Sequence, residues 1–551
     1  MVRNVSDLGR WFGGTLWSHR GGLLAVLLAV FLSLPGLNWG KIECWNLDQL
    51  AHQPLRENGL PQDYLKPPLH TYLNQAILLP VVSTTLHRGF DIRPGQQAPW
   101  RLLASRLLTL TLFAASVWFV YLAATRSGER PTAAALALLY ATSSGVLVFN
   151  RFLTTDSPLL FWMTASLLTA LLAAEKKSLP WAVISGVLAG LATANKYNGL
   201  WAGAALPAAL LATLGWRAIL WPGFWLGGLS VFLGFIVGNP GSVLDTQRFV
   251  ADFLYNLQIT PVYHGEATGL GYLRFWERMP SLLGWPGTLL WVSTLLLTTY
   301  LLLSRRIPRS QWPLLCACFG VIALYYLSIG KFPRTETRFV LPLIPFLLLL
   351  TMPAWSTLGG KFPRTAAALL GLVLLYNVAA SLEAGLRFVH DPRMVALDWV
   401  KTNIPESAKV ENSYAPHWRR LPNYRPTIQL MPAVTGRAAR FASLFPEDPN
   451  LQSNLERYET SLDAVQLFTA TALAERNPDF IAFSHFVFAW TGDDGVREFY
   501  HQLARQELGY RLVFAQDARP RAFWSYPDKI DFLTDSFFIL AREEPNPPPP
   551  E

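Results

Sequence analysis

The chain has 551 residues, 51% of them hydrophobic and only 15% charged, where soluble domains carry roughly 25% charged residues. Apolar runs recur from about residue 21 to residue 381, which excludes a soluble enzyme for most of the chain and reads as a polytopic α-helical membrane protein. The net charge of +9 is scattered over short loops, which excludes a nucleic-acid partner, and the three cysteines, Cys44, Cys316 and Cys318, indicate neither a disulfide framework nor a zinc site.

About eleven transmembrane helices are predicted, near 21–39, 102–124, 131–150, 158–174, 179–195, 199–214, 217–237, 282–303, 312–329, 339–357 and 365–381. The first is not a removable signal peptide, because it is long and lacks a small-residue cleavage site. With a cytoplasmic N-terminus, the inner loops hold thirteen basic residues, among them Arg126, Arg130, Lys176, Lys177 and Arg309, against only Asp7, Glu129 and Glu175. That is the positive-inside pattern of a multi-pass plasma (inner) membrane protein. An odd number of spans then puts the C-terminus outside.

Residues 1–384 form the expected transmembrane domain, with a first extracytoplasmic loop over about 40–101. Residues 385–544 are more polar and read as a soluble extracytoplasmic domain of mixed α/β type. A helix starts at Asp391-Pro392, another runs from about 493 to 508 and stops at Gly509, and Phe480-Ile-Ala-Phe, Arg511-Leu-Val-Phe and Phe537-Phe-Ile-Leu read as buried strands. The proline-rich tail, 545–551, is expected to be extended and disordered.

Three outer connections can build a site: 40–101, 238–281 and 331–338. Asp48, about two helical turns beyond the first span, suits a general base or a metal ligand, and equally a solvated loop carboxylate or helix cap. Asp156, in Thr154-Thr155-Asp156-Ser157-Pro158, is explained by capping of the helix that follows. Yet Arg151 and Asp156 are ionisable groups at a membrane boundary, where such residues are often functional. Lys66 precedes Pro67-Pro68, which forces it into extended geometry and aims it away from the next helix. It can hold a phosphate or snorkel to the headgroups, and the same two readings apply to Lys196 with Tyr197, and to Arg334 and Arg338. His264 and Glu266 have metal-binding chemistry but no third ligand beside them, and also fit a polar loop. Taken together, four loops deliver cations to the face that carries both aspartates.

These residues carry a family resemblance. Leu47-Asp48-Gln49, Tyr64-Leu65-Lys66-Pro67-Pro68-Leu69, Thr155-Asp156-Ser157-Pro158-Leu159, the run from Gly190 to Asn198, and Arg338-Phe339-Val340-Leu341-Pro342 occur in the order seen in the C-type (GT-C) membrane glycosyltransferases. Among these the chain resembles the protein O-mannosyltransferases and their bacterial relatives, the lipid A aminoarabinose transferases. The resemblance implies a GT-C-like fold and inverting transfer of one sugar from a polyprenyl-phosphate donor to a lipid, glycan or protein acceptor. It implies that Asp48 is the catalytic aspartate, that Asp156 is the second acidic residue, and that Lys66 and Arg338 are candidates to meet the donor phosphate, with Lys196 on the same face as a third donor-phosphate candidate from the residues themselves. The family often has glutamate where this chain has Gln49, which leaves Asp48 as the preferred base and a divalent metal optional. The Trp-Trp-Asp signature of oligosaccharyltransferases does not occur in the C-terminal region. The alternative is a multi-span transporter or flippase, which would place its ionisable groups near the bilayer midplane, often in paired repeats.

Overall fold

The computed structural model describes residues 18–39, 55–61, 63–90, 92, 98–264, 271–332, 336–405, 407–413, 429–430, 468–484, 494–517 and 536–543. They fall into two compact units. The first includes Asn38 and runs on to Leu386, and the second holds Trp39 and the described residues from Arg387 onward.

Each of the eleven predicted apolar stretches contains helix, but the first, predicted over 21–39, leaves the helix at Ser33. By length and composition, six helices of the described residues can cross a membrane, or seven when the bent pair Thr337–Leu349 and Met352–Lys361 is taken as one span. Arg20–Ser33, Leu179–Asn195 and Pro222–Gly238 are apolar but shorter. Two of the predicted spans are interrupted for local reasons. Near residue 350 the Thr351 hydroxyl donates to the Leu348 carbonyl at 2.6 Å, and Pro353 has no N–H to continue the ladder, so the axis bends by 42°. Between Arg130–Ala141 and Ser144–Phe149, Thr142 and Ser143 turn their hydroxyls back onto the Leu138 and Leu139 carbonyls.

At the centre lies Asp156–Lys176, most of which is buried. Inside this apolar surround, Ser166 and Ser185 each donate a hydroxyl to the other's carbonyl at 3.0 Å, joining it to Leu179–Asn195. Leu179–Asn195 in turn packs against Pro222–Gly238 through small residues. Gly223, Gly227, Ser230, Gly234 and Gly238 form the buried face of the latter, three or four residues apart, while Phe232, Leu233 and Val237 are exposed. A face of glycines set against an apolar face without protein cover is what a lipid-embedded helix pair requires.

The second unit is a five-stranded sheet in the order β2-β1-β3-β5-β4, with β1 Val410–Ser413, β2 Gln429–Leu430, β3 Phe480–Ser484, β4 Tyr510–Gln516 and β5 Phe537–Arg542. β1 pairs with β2 and β3 in parallel, and β5 is antiparallel to β3 and β4. Strand alternation divides the core between the two faces. Ile481 and Phe483 pack with Val496, Phe499 and Leu503, whereas Ala482 packs with Ala396 and Val400. The helix predicted at Asp391-Pro392 is present as Pro392–Asn403, and the Asp391 carboxylate caps it by accepting the Arg393 N–H at 2.9 Å. The helix predicted over 493–508 ends earlier, at Ala504. Gln506 there takes φ +63° and its side chain accepts the Leu512 N–H, so the chain turns before Gly509.

Candidate active site

Asp156 sits in the first turn of its helix, where the helix dipole favours a carboxylate. The N-cap residue, Thr155, makes no side-chain capping bond. The Asp156 carboxylate instead accepts the Lys196 ammonium at 2.6 Å. Lys196 reaches it because Leu179–Asn195 ends at Asn195 and the chain turns extended there, with φ −157° and ψ 129°. Asn195 Nδ2 fixes the same helix end by donating to the Thr155 carbonyl at 2.7 Å.

Lys196 Nζ also lies 5.5 Å from the centre of the Phe339 ring, and the Arg338 guanidinium lies 5.3 Å from that same ring. Arg338 pairs with Glu336, Nε to Oε2 at 2.8 Å. Lys66 comes in from the segment ahead of Pro67. Lys66, Asp156, Lys196, Arg338 and Phe339 line one cavity of about 640 Å³, in which, among the described residues, Lys66, Lys196, Lys331 and Arg338 face one lining carboxylate, Asp156. Trp201, Phe253 and Phe332 supply apolar and aromatic wall. A concave, mostly apolar site with a few convergent cations suits an amphiphile that ends in an anionic group.

Of the residues singled out from the sequence, the cavity brings together Lys66, Asp156, Lys196, Tyr197 and Arg338. Arg151 does not line it. Its guanidinium is fully buried and donates to the Leu32 and Pro35 carbonyls at 2.7 Å and to Leu147 at 2.9 Å, closing the end of Arg20–Ser33. Arg151→Met is therefore expected to strand buried carbonyls and lower stability by about 3 kcal/mol, read as a fall in melting temperature of the purified protein. His264 is the last residue of Thr246–His264, and its side chain lies outside the described residues. Asp48, Gln49, Glu266 and Arg334 also lie outside them, as do Cys44 and the tail 545–551.

Among the described residues no three His, Cys, Asp or Glu side chains gather as a metal site, and the partner on Asp156 is an ammonium. The reading of 238–281 as a connection missed its helices, Thr246–His264 and Gly271–Glu277. It also missed Phe253 and Asn256, which line the cavity. Phe249, Asp252, Phe253 and Asn256 are spaced as one helical face, and that period was the available signal.

A family profile described as dolichyl-phosphate-mannose-protein mannosyltransferase matches residues 100–238, the stretch that carries Asp156, Lys196 and Tyr197. No curated protein matches the chain by sequence. Among solved structures, ArnT from Cupriavidus metallidurans bound to undecaprenyl phosphate superposes with a TM-score of 0.52 at 14% identity, over 94% of this chain and 97% of that one. The apo state of the same protein gives 0.50 at 15% identity, over 96% and 98%. The apo oligosaccharyltransferase of Archaeoglobus fulgidus gives 0.47 at 12% identity, over 93% and 75%. At such identities the likeness is one of fold: the chain has the fold of the C-type (GT-C) membrane glycosyltransferases, and its residues 100–238 match their mannosyltransferase branch.

Proposed function

We propose that the protein is an inverting glycosyltransferase that moves a single sugar from a polyprenyl-phosphate donor to an acceptor hydroxyl on the extracytoplasmic face of the membrane. The observation that carries this reading is the cavity in which Lys66, Lys196 and Arg338, from three separate segments, surround the buried Asp156. In the reaction, the acceptor oxygen attacks the anomeric carbon from the face opposite the phosphate. The sugar–oxygen bond to phosphate breaks, and the phosphate leaves with the electron pair. Negative charge grows on the leaving group, and fixed cations stabilise it most at that moment. Asp156 holds the Lys196 ammonium in place for this role.

The acceptor proton needs a carboxylate on the attacking side, and Asp48 is the proposed base. Sidedness is supported by charge. The helix from Asp156 to Lys176 has 21 residues, about 31 Å at 1.5 Å per residue, and its far end carries Lys176 and Lys177. The base role is tested with membranes that contain the full chain and a radiolabelled polyprenyl-phosphate sugar. Asp48→Asn should lower transfer about 100-fold or more without lowering the yield of folded protein. Near-normal turnover would remove Asp48 from the base role. Substrate accumulation in vesicles without any glycosidic product would replace the transferase reading with transport.

A further inference from the structure

Three backbone groups immediately before Lys66 are bonded by side chains from distant parts of the first unit. The Tyr197 hydroxyl donates to the Tyr64 carbonyl at 2.6 Å, and Asn256 Nδ2 donates to the Leu65 carbonyl at 2.8 Å. The Asp252 carboxylate accepts the Tyr64 N–H at 2.9 Å. The Tyr64 side chain is itself fixed. Its ring is fully buried edge-on to Phe249, and its hydroxyl donates at 3.3 Å to Asp245, which also pairs with Arg56. Burial, with Asp245 second, pushes the Tyr64 phenol up to about 12, so it remains a neutral donor.

On its other side Lys66 meets Pro67-Pro68, which restrict the backbone without any bond. The backbone leading into the lysine is therefore held by three hydrogen bonds before it and two prolines after it. Tyr197 adjoins Lys196, so one phenol ties the position of Lys66 to that of the Lys196–Asp156 pair. Tyr197 and Asn256 also line the cavity, which places their two bonds at its wall.

We infer that Tyr197, Asp252 and Asn256 form a clasp that presents Lys66 to an anionic phosphate in the cavity. They are positioning residues that act through the lysine. A cation delivered to a fixed place loses little freedom when the anion arrives, and a small displacement weakens every contact it makes. The inference rests on the reading of Lys66 as a donor-phosphate cation, and its test separates the two.

Binding of farnesyl phosphate to the full-length protein in detergent is measured by titration. Wild type should bind, and Lys66→Ala should bind about tenfold more weakly. Tyr197→Phe, Asn256→Leu and Asp252→Leu should each weaken binding about threefold to tenfold, the worth of one hydrogen bond. Asp252→Asn should recover most of the loss seen in Asp252→Leu, because its amide oxygen still accepts the Tyr64 N–H. On a Lys66→Ala background the same clasp substitutions should cause no further loss, since there is no lysine left to aim. A wild type that does not bind, or a Lys66→Ala variant that binds as wild type does, overturns the phosphate reading of the cavity and the clasp with it. If Lys66→Ala weakens binding but the clasp variants are silent, or lose as much without Lys66 as with it, the clasp alone is overturned.

Discussion

Asp156→Asn combined with Lys196→Met is expected to regain much of the stability that either change removes alone, yet to leave transfer at about a hundredth of normal or less. The pair sits at 2.6 Å, with only 4% of the Asp156 side chain and 20% of the Lys196 side chain exposed. In Lys196→Met the carboxylate stays almost wholly buried without its ammonium. In Asp156→Asn the ammonium faces a neutral amide. Removing one partner of such a pair costs about 3–5 kcal/mol, and the lower end applies here because Lys196 opens onto the cavity. Neutralising both leaves an amide beside a thioether stem, and buried pairs replaced this way are often no less stable.

Activity follows a different rule. On the proposed function the leaving phosphate needs the Lys196 charge in single and double variants alike, so Lys196→Met and the double variant should both lose about 10²–10³ in turnover. Melting temperature and labelled-sugar transfer, measured on the four proteins of the cycle, separate the two effects. If the double variant turned over normally, Lys196 would be a structural counter-ion and the proposed phosphate contact would be wrong.

Much of this site is legible because ionisable residues at the ends of apolar runs are conspicuous. Asp156, Lys196 and Arg338 stand out for that reason and Lys66 for the two prolines after it, and the four do line one cavity. The sequence could not disclose the bonding among them. Asp156 and Lys196 are forty residues apart, and they meet only because Asn195 pins one helix end to the start of another. Arg151, five residues from Asp156, looks like its companion in sequence, but it turns to the carbonyls that end Arg20–Ser33. In the second unit, β3 and β5 read as buried strands because their residues are apolar. β1 did not, because Val410-Glu411-Asn412-Ser413 is polar. Its Glu411 is buried only because Arg476, 65 residues away, meets it at 2.9 and 3.0 Å. Such pairings are set by tertiary approach and leave no local pattern in the chain.

Gly190→Ala is expected to lower both stability and transfer, whereas Gly228→Ala on the opposing helix should be tolerated. A Cβ on Gly190 would lie 2.1 Å from the Val231 carbonyl oxygen and 2.6 Å from the Phe235 nitrogen. Those atoms are backbone and cannot rotate aside. Leu179–Asn195 and Pro222–Gly238 would have to move apart, and overpacking of this kind costs about 1–3 kcal/mol. The same crossing is tight from both sides. A Cβ on Gly186 would lie 1.9 Å from the Gly227 oxygen, and one on Gly234 would lie 2.1 Å from the Val187 oxygen. Gly228, by contrast, has nothing within 4 Å of where its Cβ would stand, and alanine there adds helix propensity. The effect on transfer follows from where the helix leads. Five residues beyond Gly190 lies Asn195, which bonds Thr155, and the next residue is Lys196. A displacement of about 1 Å at a cation in the proposed phosphate-binding role can cost about 10²-fold in rate, so the surviving Gly190→Ala protein should transfer sugar far more slowly than its residual folding explains. Thermal melting and transfer assays of the two variants side by side measure this. If Gly190→Ala melted and turned over as Gly228→Ala does, the close helix crossing would not be what holds Lys196 in place.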